Sequence, residues 1–268
     1  MRLLDTLSGI QRICRRAVAR VSFQAQCQCN MCDQRVQRFL PFKGGWADVP
    51  PLIRQLGVVG SDVENFECPA CGCHDRERHL LMYLKASGLM QRMKGAKILH
   101  LAPELNLQRF ISSAMPAQYI QGDLYPNQPN VEKVDLHSVP YPADYFDFVL
   151  ANHVLEHVQD DLMALKEIYR VLRFGGHAIL QTPYSSVLTK MFEDSGIQSD
   201  EARLQAYGQE DHCRLYGRDI FQRFETVGLN SLAIEHIKII GNIDCIVHGI
   251  NADEPFFLFQ KPCKNDNG

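Results

Sequence analysis

Two cysteine pairs, Cys29-Asn-Met-Cys32 and Cys68-Pro-Ala-Cys71, are the residues whose type and spacing speak most directly of chemistry. A Cys-x-x-Cys turn points two thiolates the same way, and two such turns 36 positions apart supply the four sulfurs that suit tetrahedral zinc. Gly72 permits the tight turn after the second pair. Knuckles of this kind also hold iron in rubredoxin-like sites, and Cys27, Cys73 and His74 lie close enough to replace a ligand. Ten cysteines clustered this way, without a secretion signal, favour metal binding over disulfides.

A second group of candidates stands at strand ends. Lys97 to Asp123 reads as a buried strand, a turn, a helix and a second strand ending on an acid. Asp123 falls 21 positions after Ala102, near the spacing at which an acid meets a ribose hydroxyl. The turn itself carries Ala102-Pro103-Glu104 where Gly-x-Gly is usual. Further on, His153, His157 and the cluster Asp211-His212-x-Arg214-x-Tyr216 supply imidazoles able to take a proton near neutral pH. His157 reads as a capping or packing residue and the 211–216 cluster as a substrate contact. Arg76 and Arg78 read as solvated or salt-bridged surface residues rather than cleft residues.

The elements that position these groups follow from periodicity. Residues 1–26 give an amphipathic helix with Leu3, Leu7, Ile10, Cys14, Val18 and Val21 on one stripe; it packs on the body or a partner, with peripheral membrane contact through residues 1–21 or organelle targeting as alternatives. Residues 27–74 form the small zinc-binding module, and 75–95 a linker helix interrupted near Gly88. Residues 96–262 then alternate strands and helices. VEKVDLHSVP is a third strand ending at Asp135, YFDFVLAN a fourth ending at Asn152, and 159–172 a helix that Gly175-Gly176 ends. HAILQTP, SLAIEHIKI and EPFFLFQK complete the strands, and the irregular stretch 184–216 sits where a lid would be. The expected fold is α/β: a Rossmann-like, doubly wound, seven-stranded sheet whose last strand runs antiparallel.

Residues 146–183, FDFVLANHVLEHVQDDLMALKEIYRVLRFGGHAILQTP, resemble the class I S-adenosylmethionine-dependent methyltransferases of the type 11 group, with FDxV, VLEH and RVLxxGG in order. The resemblance spans about residues 95–262, and the cysteine module followed by Arg-Glu-Arg looks like a zinc-bearing branch of these enzymes. It implies that His100, Ala102, Pro103 and Glu104 run past the methionine part of S-adenosylmethionine. It also implies that Asp123 binds the ribose hydroxyls, Leu124 packs on adenine, Asp135 takes the exocyclic amine and Leu136 offers a backbone amide. Asn152 and His153 line the cleft beside the methyl group, and His153 and His212 are the catalytic candidates.

The function expected from this resemblance is methyl transfer to a small molecule, a saccharide or other metabolite. RNA methylation and a non-catalytic scaffold with a degenerate cofactor loop are the alternatives. Residues 1–100 carry 15 Lys/Arg against 8 Asp/Glu, which suits RNA, while residues 101–268 carry 13 against 23, which does not. No run of 18 or more apolar residues marks a membrane span, and a cytoplasmic location is expected.

Overall fold

The computed structural model describes residues 25–264, so the amphipathic helix expected at the amino terminus lies, but for two residues, outside the described residues. The chain opens with β1 (Cys27–Gln28), β2 (Arg35–Val36), α1 (Pro51–Gln55), β3 (Val58–Val59), α2 (Asp75–Ala86) and α3 (Leu89–Arg92). Alternation then begins: β4 (Lys97–Leu101), α4 (Leu105–Ser113), β5 (Gln118–Asp123), β6 (Glu132–Lys133), β7 (Phe146–Ala151), α5 (Asp161–Val171) and β8 (Leu172–Ile179). It closes with β9 (Tyr184–Ser185), α6 (Asp200–Tyr207), α7 (Ile220–Glu225), β10 (Asn230–Ser231), α8 (His236–Ile239), α9 (Cys245–His248) and β11 (Leu258–Gln260).

Seven strands make one sheet in the order β10-β11-β8-β7-β4-β5-β6. β4 lies parallel to β5 and β7, β8 lies parallel to β7, and β11 runs antiparallel to β8, as the sequence led us to expect. Ile98, Leu99, Phe148, Val149 and Leu150 are at most 3% exposed because helices cover both faces of these central strands. Leu165 and Ile168 of α5 and Phe224 of α7 pack on one face, while Leu80 and Leu84 of α2 and Leu107 and Ile111 of α4 pack on the other. Cys29, Met31 and Cys68 belong to this second core, so the cysteine module is built onto the sheet rather than tethered to it. β3 pairs antiparallel with β9, and Ser185 Oγ donates to the Leu56 carbonyl at 2.6 Å, tying the module to the segment after β8.

Four local readings differ from the sequence expectation. The helix ends at Val171, and Gly175-Gly176 instead sit inside β8, where the pairing with β7 slips between Phe146 and Phe148. A Cβ on Gly176 would come within 3.2 Å of the Phe146 carbonyl oxygen, so these glycines serve a bulge and not a helix stop. The third strand stops at Lys133, because Asp135 turns the chain by accepting the His137 amide at 2.8 Å. SLAIEHIKI yields only the two-residue β10; His236 opens a short helix because its ring is drawn inward to His79 at 2.8 Å. The stretch 184–216, expected to be irregular, contains β9 and α6. No described helix is long and apolar enough to cross a membrane.

Candidate functional site

The turn after β4 puts Ala102 in the left-handed region (φ 45°), the conformation a glycine would favour, and its amide donates to the Gly122 carbonyl at 2.8 Å. Glu104 heads α4 but does not cap it; its side chain, 7% exposed, folds back into the site. Oε2 accepts from His100 Nε2 at 3.0 Å and Oε1 from the Asn152 amide at 2.5 Å. A carboxylate can only accept, so His100 carries its proton on Nε2 and takes the Tyr119 hydroxyl on Nδ1 at 2.8 Å. Burial pushes the Glu104 carboxyl up, but the His100 hydrogen bond, helped by the Arg76 charge, outweighs it and holds the group below the usual carboxylate range.

Glu104 lines a cleft with Ala102, Pro103, His74, Arg76 and Glu77, between the cysteine module and the sheet. His100, fully buried, does not line it; this expected ligand contact is instead a support behind Glu104. Arg76, read from sequence as a surface group, lines the cleft, and its buried Nε has no partner among the described residues. Arg78 departs further from the surface reading. It is wholly buried and donates to the carbonyls of Asn65, Cys73 and Gly249, stapling the cysteine module to the α9 turn. Burial and the Glu104 charge push Glu77 up to about 7.

At the end of β5, Asp123 is half-buried and accepts the Tyr125 amide on one oxygen at 2.8 Å, while Leu124 and Tyr125 expose 42% and 81% of their surface. Past β6, exposed Asp135 is lowered by the His137 amide and ring, and His137 Nε2 in turn accepts the Asp160 amide, linking this turn to α5. Leu136 beside it is buried. Glu104, Asp123, Asp135 and Asn152 therefore stand along the carboxyl edge of the parallel strands, the edge at which open α/β sheets bind ligands.

After β7, buried Asn152 leaves its Oδ1 without a partner among the described residues, and His153 takes a left-handed φ of 55°. The His153 ring lies between two carboxylates, 3.4 Å from Glu156 and 3.5 Å from Glu254. Burial alone would lower its pKa, but the two acids raise it to about 9 and are themselves lowered to about 2. Glu254 also meets His79 at 3.2 Å, and His79 meets His236, so a buried acid–imidazole chain leads away from the sheet edge. Nothing in the sequence signalled Glu254 or His79, which lie 175 positions apart.

The 211–216 cluster divides into two kinds of residue. Arg214, 1% exposed, donates to the carbonyls of Leu155, Val158 and Gln159 and to Glu193, and the Tyr216 hydroxyl donates to Asp161 at 2.8 Å. Both hold the segment down. His212 donates from Nδ1 to the Tyr207 carbonyl at 3.1 Å, and its buried Nε2 has no partner among the described residues. His157 packs edge-on against it, with ring centroids 4.7 Å apart.

The sulfurs of Cys29, Cys32, Cys68 and Cys71 lie within 4.8 Å of one another. Cys68 and Gly72 close the second knuckle through a Gly72 amide bond to the Cys68 carbonyl at 2.8 Å, with Gly72 at φ 77°. Cys73 reaches Cys29 at 3.4 Å but is also engaged by Arg78 Nη1 at 3.8 Å. Cys27 turns instead to the Ile246 carbonyl.

Residues 111–180, from the last turn of α4 into the loop after β8, match the family model described as "Methyltransferase domain". Among solved structures the chain is similar to the YcgJ protein of Bacillus subtilis (18% identity, 58% of this chain and 76% of that one, TM-score 0.40). It is also similar to an S-adenosylmethionine dependent methyltransferase from Mesorhizobium loti (16%, 65% and 96%, 0.43) and to a SAM dependent methyltransferase from Archaeoglobus fulgidus (13%, 68% and 94%, 0.44). No curated protein matches the chain. The matched segment contains the strands that carry Asp123 and Asn152 to the edge of the site.

Proposed function

We propose that this chain is an S-adenosylmethionine-dependent methyltransferase acting on a small-molecule acceptor, with a structural zinc ion in its cysteine module. The observation that carries the reading is the Glu104–Asn152 hydrogen bond at the carboxyl edge of a sheet along which Asp123 also stands and whose residues 111–180 match a methyltransferase domain. S-adenosylmethionine, when bound, supplies a methyl group already activated on a sulfonium, so the protein has to align the acceptor and exclude water.

The residues present fit that cofactor. Glu104, an anion in the cleft, suits its ammonium group, and Arg76, with an unpartnered buried Nε, suits its carboxylate. Ala102 supplies the left-handed turn without a glycine. Asp123 accepts the ribose hydroxyls, Leu124 and Tyr125 cover adenine, and Asp135 with the Leu136 amide reads its edge. Asn152 Oδ1 is a buried acceptor waiting for a donor.

His153 and His212 are the acceptor-side residues in this reading. His153, protonated at neutral pH between Glu156 and Glu254, stands beside the acceptor's end of the site as a fixed positive charge and does not abstract the acceptor's proton. His212 stays neutral because burial lowers its pKa against the pull of Glu156. Four converging cysteine sulfurs suit zinc, and the nine described cysteines are all unpaired, which suits a reducing cytoplasm.

The test is incubation of the purified protein and a cell extract with S-adenosylmethionine labelled on its methyl group. Label should accumulate in the low-molecular-weight fraction. Label confined to RNA would replace the acceptor class, and failure of the protein to retain labelled cofactor would remove the enzyme reading.

A further inference from the structure

Glu156, His157 and His212 form a cluster that cofactor binding does not use. One carboxylate oxygen and one nitrogen from each ring lie within 4.8 Å of one another. Glu156 is 1% and His212 5% exposed, yet neither Glu156 oxygen nor His212 Nε2 has a hydrogen-bond partner among the described residues. His153 Nδ1 stands 3.4 Å from Glu156 in ion-pair contact but out of hydrogen-bonding geometry. His153 balances the Glu156 charge without hydrogen-bonding to it, and His212 Nε2 stays bare, so a further cation or donor between these three side chains would satisfy buried groups that are otherwise unfavourable.

The second nitrogens of the two rings are already occupied. His212 Nδ1 donates to the Tyr207 carbonyl at 3.1 Å, and His157 Nδ1 meets the Asp211 carboxylate at 3.1 Å. Such partners fix the tautomer with its lone pair on Nε2, which is how metal-ligating histidines are held. His157 Nε2 lies 3.9 Å from Glu156 Oε1. The two ligand-bearing segments are fastened to each other: the Cys213 amide donates to the Glu156 carbonyl at 2.8 Å, and Arg214 spans the carbonyls of Leu155, Val158 and Gln159.

We infer that Glu156, His157 and His212 make a second metal site, separate from the cysteine cluster, for a divalent ion of the zinc, cobalt or iron(II) kind. Two imidazoles and one carboxylate are the donor set that such ions take when coordination positions stay open. The His157 side chain is 31% exposed, so the cluster opens toward solvent on that side. The open positions take water or an oxygen of a small acceptor, a hydroxyl or a carboxylate; this last role rests on the methyl-transfer reading above.

The test uses full-length protein that keeps its cysteine-bound metal, titrated with Co2+. Wild type should bind one further equivalent with a visible ligand-field band and no thiolate-to-cobalt charge transfer. His212→Ala should lose that band. Asp211→Asn, at a side chain 70% exposed and safe for folding, should weaken Co2+ at least about tenfold, the cost of removing an outer partner of a ligating histidine. An added equivalent absent from wild type, or bound equally well by both variants, overturns the inference and leaves the trio as a proton-sharing cluster. If the metal fails to bind while labelled methyl transfer proceeds, only this inference falls; if it binds while no methyl transfer occurs, only the functional reading falls.

Discussion

The Asn152 amide donates to Glu104 Oε1 at 2.5 Å across 48 positions of sequence, joining the turn after β4 to the end of β7. That bond, with the His100 bond on the other oxygen, fixes an anion where the usual glycine turn would offer only backbone. Glu104→Gln should therefore weaken S-adenosylmethionine binding by about 1.5–3 kcal/mol, the scale of a hydrogen bond to a charged group, with the melting temperature little changed. Calorimetry of the two proteins checks it, and equal affinities would take Glu104 out of the cofactor site.

The Asp123 side chain accepts one local bond, from the Tyr125 amide, and no other among the described residues. Asp123→Ala should thus cost cofactor affinity by about 1.5–3 kcal/mol while the fold stays intact. Unchanged binding would mean that another group meets the ribose.

The cysteine module should hold one zinc ion on Cys29, Cys32, Cys68 and Cys71. Because these sulfurs sit in the same core as Leu80 and Ile98, chelation should loosen α2 as well as the knuckles, with structural zinc worth on the order of 10 kcal/mol in small domains. Cys71→Ala should lose the metal and Cys73→Ala, whose thiol stands outside the four-sulfur group and also meets Arg78, should keep it. Elemental analysis of the two variants decides between them.

Asp161, 2% exposed, receives Arg223 through two bonds of 2.6 and 2.7 Å and the Tyr216 hydroxyl at 2.8 Å. Burial pushes its pKa up, but these donors and the Arg214 charge bring it below the ordinary value. The folded pKa is depressed, so its stabilisation is present above the unfolded value of about 3.9 and is lost as pH falls through the folded one. Asp161→Asn should destabilise by on the order of 3 kcal/mol at pH 7 and flatten the acid limb of the stability curve. Denaturant melts between pH 3 and 7 read both effects.

What the sequence disclosed follows the range of the forces involved. β4, β7 and α5 were legible because their burial is written locally, in runs such as Ile98-Leu99 and in Ala164, Leu165 and Ile168 at helical spacing. The strands that hold β6 and β10 were read too long, since edge strands two residues in length carry little burial to mark their ends. Gly175-Gly176 resembled a helix stop because a bulge and a C-cap ask the same freedom of the backbone. In the site, Asp123 and Asn152 follow from strand ends, whereas Arg78, His79 and Glu254 depend on contacts across 157 or more positions that no local pattern encodes.

The last prediction concerns His153. Its ring sits 3.4 Å from Glu156 and 3.5 Å from Glu254, both nearly inaccessible, and the pair lifts its pKa to about 9 against the opposing effect of burial. A histidine whose folded pKa lies above its unfolded value of about 6.5 contributes stability that is complete below pH 6.5 and is lost as pH rises toward 9. Wild type should therefore lose stability across that window, and His153→Gln, which cannot carry the charge, should be less stable at pH 6 with no comparable loss between pH 6.5 and 9. A general base at this position would give the opposite signature, a neutral ring titrating below pH 7. Carbon-13 chemical shifts of the histidine rings, assigned by comparison with His153→Gln, separate the two, and a His153 midpoint at or below 6.5 would show that Glu156 and Glu254 do not hold its proton.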